Sequence, residues 1–248
     1  MIDALVTAGA RLPPELRRRF GTHIKALVPI GGATLVDRTI AAIRGVAGVS
    51  RITVVGPAEM RPRINVDRFV DETESGEKNL LAGLAAIVGE RTLLCASDMP
   101  FVSAGALDDL LARAPSSAAI VYPIYTRAEF DAAYPGGRSA FARLADGEFT
   151  GGSAFVIRGA VLRERTELIS KAFGARKNLF ALATVLGAAL TLAFVRGAVR
   201  VAQIEARASA LLGGDVVALR GADPALALDC DDESDFAFAQ AIYERAAL

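Results

Sequence analysis

Short apolar runs alternate with longer amphipathic stretches through the first half of the chain. Residues 2–7, 51–55, 92–96 and 118–122 are rich in branched aliphatic side chains and predict strands. Between them, residues 34–46, 79–88 and 102–114 repeat apolar positions at helical spacing, the last with Ser103 placed to cap it. A regular alternation of strands and helices predicts a largely parallel sheet with helices on both faces.

The pattern changes after residue 122. Residues 138–144 and 148–150 flank Asp146-Gly147, a hairpin signal, and Gly151-Gly152 leads into a strand at 153–157. Helical patterns follow at 162–173, 178–195, 205–212 and 236–247, with extended stretches expected at 216–219 and 226–230. No internal repeat or linker interrupts the chain, so one domain is expected, with a first half of about 1–125 and a second half of about 126–248.

The 248 residues are 52% hydrophobic and 23% charged, which supplies a sizeable core and excludes bulk disorder. Lys+Arg and Asp+Glu balance at 28 each, so the basic surplus that general nucleic-acid binding needs is missing. A single histidine, His23, argues against histidine metal sites and Ser-His-Asp chemistry. The two cysteines, Cys95 and Cys230, form neither a disulfide framework nor a zinc spacing and are expected in the core. Chemistry is thus left to carboxylates, lysine, arginine and backbone amides. The first residues lack the basic start and apolar run of a signal peptide, and a cytosolic location is expected. Residues 179–195 carry no charge but fall short of the ~20 residues of a spanning helix. They are expected to be a buried or groove-forming helix; membrane contact, with a lipid-like substrate, is the secondary reading.

Ligands of an open parallel sheet bind beyond the C-terminal ends of its strands. Three segments occupy such ends. After the first strand, Ala8, Gly9 and Ala10 are small enough for the backbone to approach a phosphate, and Arg11, Arg17, Arg18, Arg19 and Lys25 add positive charge. The plain alternative is a solvated basic loop. Beyond the third strand, Asp98 precedes Met99-Pro100; a strand-end carboxylate suits Mg²⁺, although helix capping explains it equally well. Near the C-terminus, Asp229 and Asp231 would share a face of an extended segment while Cys230 points away, completing a metal site with Asp98. Asp232, Glu233 and Asp235 look instead like the acidic first turn of a helix.

In this order the segments resemble the MobA-like NTP transferases, nucleotidyltransferases related to molybdenum cofactor guanylyltransferase. The resemblance rests on ALVTAGAR and KALVPIGGATLVDRTIAAI, on ITVVGP, ESGEKNLLAGL, LLCASDMPFVS, GEFTGGSAFVIRG and LALDCDDESDFAFA. It implies a Rossmann-like α/β fold with a hairpin and helical insert in the second half. It places Ala8 and Gly9 on the nucleotide-binding turn, beside which Arg11 is expected to bind the nucleotide, Lys25 on the catalytic lysine that contacts the triphosphate, and Ser75, Gly76 and Asn79 near the nucleotide. It puts Asp98 on the metal-binding, catalytic aspartate, and Asp229 or Asp231 on the second acidic ligand. Gly151, Gly152 and Lys177, or its neighbour Arg176, fall on the acceptor side.

The implied reaction is Mg²⁺-dependent transfer of a nucleotidyl group from a nucleoside triphosphate to a small phosphorylated or hydroxylated acceptor, with loss of pyrophosphate. A glycosyltransferase on a similar sheet is one rival, disfavoured because Met99-Pro100 follows Asp98 where an Asp-x-Asp is usual. A nucleotide-binding regulatory module without turnover is the other, motivated by a first loop with fewer glycines than family members usually carry. Molybdopterin is not assigned as the acceptor, and the oligomeric state is left open.

Overall fold

The computed structural model describes residues 2–175 and 178–246. In chain order the elements are β1 (Ile2–Thr7), α1 (Pro14–Phe20), β2 (Pro29–Ile30), β3 (Ala33–Thr34), α2 (Leu35–Arg44), β4 (Val49–Gly56), β5 (Arg68–Asp71), α3 (Gly76–Ala86), β6 (Arg91–Ala96) and α4 (Ala104–Arg113). There follow β7 (Ile120–Thr126), α5 (Arg127–Ala133), β8 (Ala142–Leu144), β9 (Gly147–Gly151), β10 (Ala154–Ile157), α6 (Gly159–Arg163), α7 (Thr166–Ala175), α8 (Leu179–Leu186), α9 (Ala188–Val195), α10 (Val201–Leu212), β11 (Val216–Arg220) and α11 (Glu233–Ala246).

One sheet runs in the order β5-β4-β1-β6-β10-β7-β9-β8, with β11 also pairing β7. Strands β5, β4, β1 and β6 are parallel, β10 is antiparallel to both β6 and β7, and β9 is antiparallel to β7 and β8. The expected α/β Rossmann-like fold is thus the one observed, with the hairpin at Asp146-Gly147 folded as β8 and β9.

Alternation along each strand sends successive side chains to opposite layers. Ala4, Val6, Leu93, Cys95, Val121, Ala154 and Val156 join one core cluster with Val36 and Ile43 of α2 and Leu107 and Leu110 of α4. Leu5, Val55 and Ile157 join another with Leu80 and Leu84 of α3, Leu162 of α6 and Ile169 of α7. Each buried Leu or Ile contributes roughly 1.5–3 kcal/mol, so the two layers pin the strand register. Helix starts are set locally. Thr34, Ser75, Ser103 and Thr126 each accept a hydrogen bond from the backbone N–H three residues on, and Glu129 returns the bond at Thr126.

Several elements depart from the sequence pattern. The loop after β1 contains α1, whose amphipathic signal is hidden by three consecutive arginines; Leu16 alone is buried. The apolar stretch 179–195 is not one helix: Gly187, at φ 109°, separates α8 from α9. No helix among the described residues is long and apolar enough to cross a membrane. Residues 162–173 divide between α6 and α7. Residues 226–230 do not extend a strand; a short 3-10 turn at Pro224–Leu226 is followed by irregular chain, because the segment is anchored by a Cys230 N–H bond to the Asp98 carbonyl at 3.1 Å.

Candidate active site

The three segments meet at the C-terminal ends of β1 and β6. The first loop closes on itself: Arg11 and Ile24 form an isolated antiparallel bridge, and the Lys25 N–H donates to the Ala10 carbonyl at 3.0 Å. Helix α1 fills the excursion between them, so the long gap from Gly9 to Lys25 still returns the lysine to the turn. Among the described residues, the Gly9 and Ala10 N–H groups make no backbone hydrogen bond, which leaves them able to cradle an anion.

Lys25 is buried, and its Nζ lies 2.6 Å from both Asp98 Oδ2 and Asp231 Oδ1. Burial alone would lower its pKa; the two carboxylates outweigh that and hold it above its ordinary value, so the ammonium stays charged. Asp98, Asp229 and Asp231 each offer a carboxylate oxygen within 4.8 Å of the others. Ser153 Oγ donates to Asp229 Oδ2 at 3.4 Å. Asp229 titrates at about 7, raised first by burial and then by Asp98 and Asp231, with Lys25 opposing.

Three carboxylates against one ammonium leave two negative charges when all are ionised. Asp98 and Asp229 are part-buried and Asp231 is exposed, so solvent screens some of this charge, and a counter-cation would offset the rest. Asp98 Oδ1 is buried and has no hydrogen-bond partner among the described residues, an unused ligand atom within the cluster. The donors are all hard oxygens, the set that suits Mg²⁺. The neighbouring acids have other work: Asp232 accepts from the Ser234 and Asp235 N–H groups, and Asp235 from those of Asp231 and Asp232, which fixes the start of α11. Cys95 and Cys230 are free thiols in the core, both pushed up by burial.

On the opposite side of the first turn, Gly9 faces Asn79. A Cβ at Gly9 would sit 2.8 Å from Asn79 Nδ2, and Asn79 Oδ1 accepts from the Thr73 N–H at 2.5 Å. Arg11 is held by Glu72 and by the Gly9 carbonyl, so its charge is partly committed before any ligand arrives. The Ser75 hydroxyl caps α3 by accepting from the Lys78 N–H, and Gly76 opens that helix beneath the ring of Phe173. Ala8 is buried against β4, its N–H donating to the Val55 carbonyl at 2.8 Å.

The glycine pair at the other end of the cluster makes room for aromatic side chains. A Cβ on Gly151 would overlap the Tyr122 hydroxyl oxygen, and one on Gly152 would lie 2.8 Å from Pro123 Cγ. Burial and then the Asp229 charge push the Tyr122 phenol up to about 12, so it remains a donor. Lys177 and Arg176 lie outside the described residues. Sequence reasoning missed Glu72, Ser153 and Tyr122. Only Ser153, next to the Gly-Gly pair, stood beside a visible signal. A cleft of about 530 Å³ also opens beside Asp231, lined by Arg19 and Arg138 among others.

The MobA-like NTP transferase family model matches residues 17–185. The chain belongs to that family. A hypothetical transferase from Thermus thermophilus shares 31% identity over 94% of this chain and 98% of its own, with a TM-score of 0.81. A nucleotidyl transferase from Methanothermobacter thermautotrophicus aligns at 20% identity over 99% of each chain, with a TM-score of 0.59. The 2-C-methyl-D-erythritol 4-phosphate cytidylyltransferase, also from Thermus thermophilus, aligns at 19% identity over 97% of this chain and 98% of its own, with a TM-score of 0.56. The last two likenesses are of fold. Comparison with curated protein sequences found no match. This member of the family is a nucleotidyltransferase that works on a nucleoside triphosphate.

Proposed function

We propose that this nucleotidyltransferase is Mg²⁺-dependent and moves an NMP group from an NTP to a small phosphorylated or hydroxylated acceptor, releasing pyrophosphate. The observation that carries the reading is the meeting of Lys25 with Asp98 and Asp231 at 2.6 Å each, beside Asp229.

Asp98, Asp229 and Asp231 would hold the Mg²⁺, which when bound neutralises phosphate charge. The free N–H groups of Gly9 and Ala10 bind phosphate oxygens and fix the triphosphate over the turn. Lys25 carries a permanent charge on a buried stem, so it needs little reorganisation to stabilise the negative charge that builds as pyrophosphate leaves. Ser75, Gly76 and Asn79 border the nucleotide from α3, with Arg11 at the rim. Gly151 and Gly152 border the acceptor. The acceptor oxygen attacks the α-phosphorus in line, and no covalent intermediate is needed; positioning and charge neutralisation suffice. The sole histidine is exposed and paired with Glu59 at 3.3 Å, so it plays no part. The two free, buried thiols accord with a reducing, cytosolic setting.

The deciding assay measures pyrophosphate release from each NTP with Mg²⁺ and a panel of small phosphates and alcohols. Release of NDP from a nucleotide sugar instead would make the protein a glycosyltransferase. Nucleotide binding without release of either product would make it a regulatory module.

A further inference from the structure

The central strands of an α/β sheet are ordinarily sealed on both faces. Here one face is fully buried, while the other, although it buries Thr92, Ile124 and Ile157, leaves three neighbouring side chains partly accessible. Leu93, Cys95, Val121 and Val156 are buried on the first face of β6, β7 and β10, whereas their neighbours Leu94, Tyr122 and Phe155 are only part-buried. These three face the side that the second-half helices cover. Phe173 of α7 packs against the cluster that contains Phe155. Leu190, Ala193 and Phe194 of α9 pack against the cluster that contains Tyr122. The two rings stack with centroids 5.1 Å apart at 8°, so their pair is the seam between the two apolar clusters.

That seam leads to the acidic centre. The Tyr122 hydroxyl occupies the space left by Gly151. Ser153, on the same stretch of chain, reaches Asp229. The hydroxyl makes no hydrogen bond among the described residues and belongs to a part-buried side chain, so it is free to donate to a ligand. Helices α8 and α9, which flank this side, carry no charged residue and expose Phe180, Leu192 and Val195. An aromatic floor with one unpaired donor at its polar end fits a molecule with a hydrocarbon body and an anionic head.

We propose that the Tyr122–Phe155 stack is the floor of the acceptor subsite, and that the acceptor is a phosphate monoester with an apolar body of several carbons. The inference rests on the nucleotidyl-transfer reading and names its acceptor class. The apolar body lies on the two rings and the Tyr122 hydroxyl donates to the phosphate. A phosphate dianion needs no general base, in keeping with a site that has no histidine. Its oxygen forms a bond to the α-phosphorus while the α–β bridging P–O bond breaks, and pyrophosphate departs with the electron pair.

The test is calorimetric titration of the full chain, loaded with Mg²⁺ and a non-hydrolysable NTP analogue, with methyl, butyl and hexyl phosphate. The dissociation constant should fall by up to about fourfold per added methylene. Phe155→Ala and Tyr122→Ala should flatten that dependence, and so should Gly151→Ala, which drives a methyl group into the phenol. Tyr122→Phe, which keeps the stack, should weaken all three ligands by a similar factor and leave the slope. Equal affinities for methyl and hexyl phosphate, or no binding of either, would overturn the proposal. So would a slope that survives Tyr122→Ala and disappears in Leu192→Ser, which would move the apolar contact to the outer helix surface. Binding is read without turnover, so a parallel pyrophosphate assay with methyl phosphate separates the outcomes. Release with a flat slope removes the subsite alone; a steep slope with no release from any acceptor removes the transferase reading alone.

Discussion

Lys25 and Asp98 are brought to 2.6 Å by two different loops, one after β1 and one after β6. The contact is buried on the lysine side, 7% exposed, and is shared with Asp231 across 206 residues of chain. An ammonium held among three carboxylates organises the acidic centre and compensates part of its charge. Its position depends on the closure of the first loop at Arg11 and Ile24.

Replacing Asp98 with Asn keeps the shape and removes one charge. Pyrophosphate release should fall by at least about a hundredfold, the scale of losing one preorganised electrostatic contact. Folding should suffer less, by roughly 1–3 kcal/mol, because Lys25 keeps Asp231 and the Asp98 backbone carbonyl still receives the Cys230 N–H. Steady-state kinetics and urea unfolding on the same preparation check both halves. Normal turnover in Asp98→Asn would remove Asp98 from the mechanism.

Lys25→Met leaves Asp98, Asp229 and Asp231 facing one another without their cation. The metal-free protein should lose roughly 3–5 kcal/mol at pH 8. The loss should shrink at pH 5, where Asp229 is protonated, and added Mg²⁺ should recover part of it. Thermal unfolding at the two pH values, with EDTA or with Mg²⁺, reads this directly.

The Asp229 carboxyl gives the metal-free protein a predictable pH profile. Its folded pKa of about 7 lies above its unfolded value, ~3.9. Between those values the native state holds a proton that the unfolded chain has lost. Stability from this group is therefore full below about pH 4 and is lost as pH rises through about 7. Mg²⁺ competes with that proton, so its affinity should rise over the same window. Asp229→Asn should unfold at a higher temperature than the parent at pH 8 in EDTA, by at least a few degrees, and should bind Mg²⁺ more weakly. Equal melting temperatures at pH 8 would contradict the burial argument.

Gly9→Ala tests the nucleotide side. The added methyl would come within 2.8 Å of Asn79 Nδ2 and displace an amide held by Thr73. The NTP KM should rise tenfold or more, equivalent to about 1.4 kcal/mol, with a smaller change in melting temperature without nucleotide. A parallel loss of stability and of NTP binding would instead mark Gly9 as a packing glycine.

The layering of this fold was legible because it follows from local periodicity. Strands β1, β4, β6 and β7 and helices α2, α3 and α4 each announce a buried face, and short connections between them leave a parallel sheet as the consistent arrangement. Helix α1 escaped because its one buried side chain, Leu16, is outnumbered by solvated arginines. The break at Gly187 escaped because an apolar run carries no periodic signal to interrupt.

The kinds of residue at the site, a small-residue turn, a lysine and three aspartates, were likewise fixed by the chain itself, since their chemistry does not depend on neighbours. Their distances were not. Whether Lys25 reaches Asp98, whether Asp229 ionises near 7, and whether Tyr122 lies over Gly151 depend on how segments far apart in sequence pack. Burial and the field of neighbouring charges are properties of the assembled interior, and only the tertiary structure contains them.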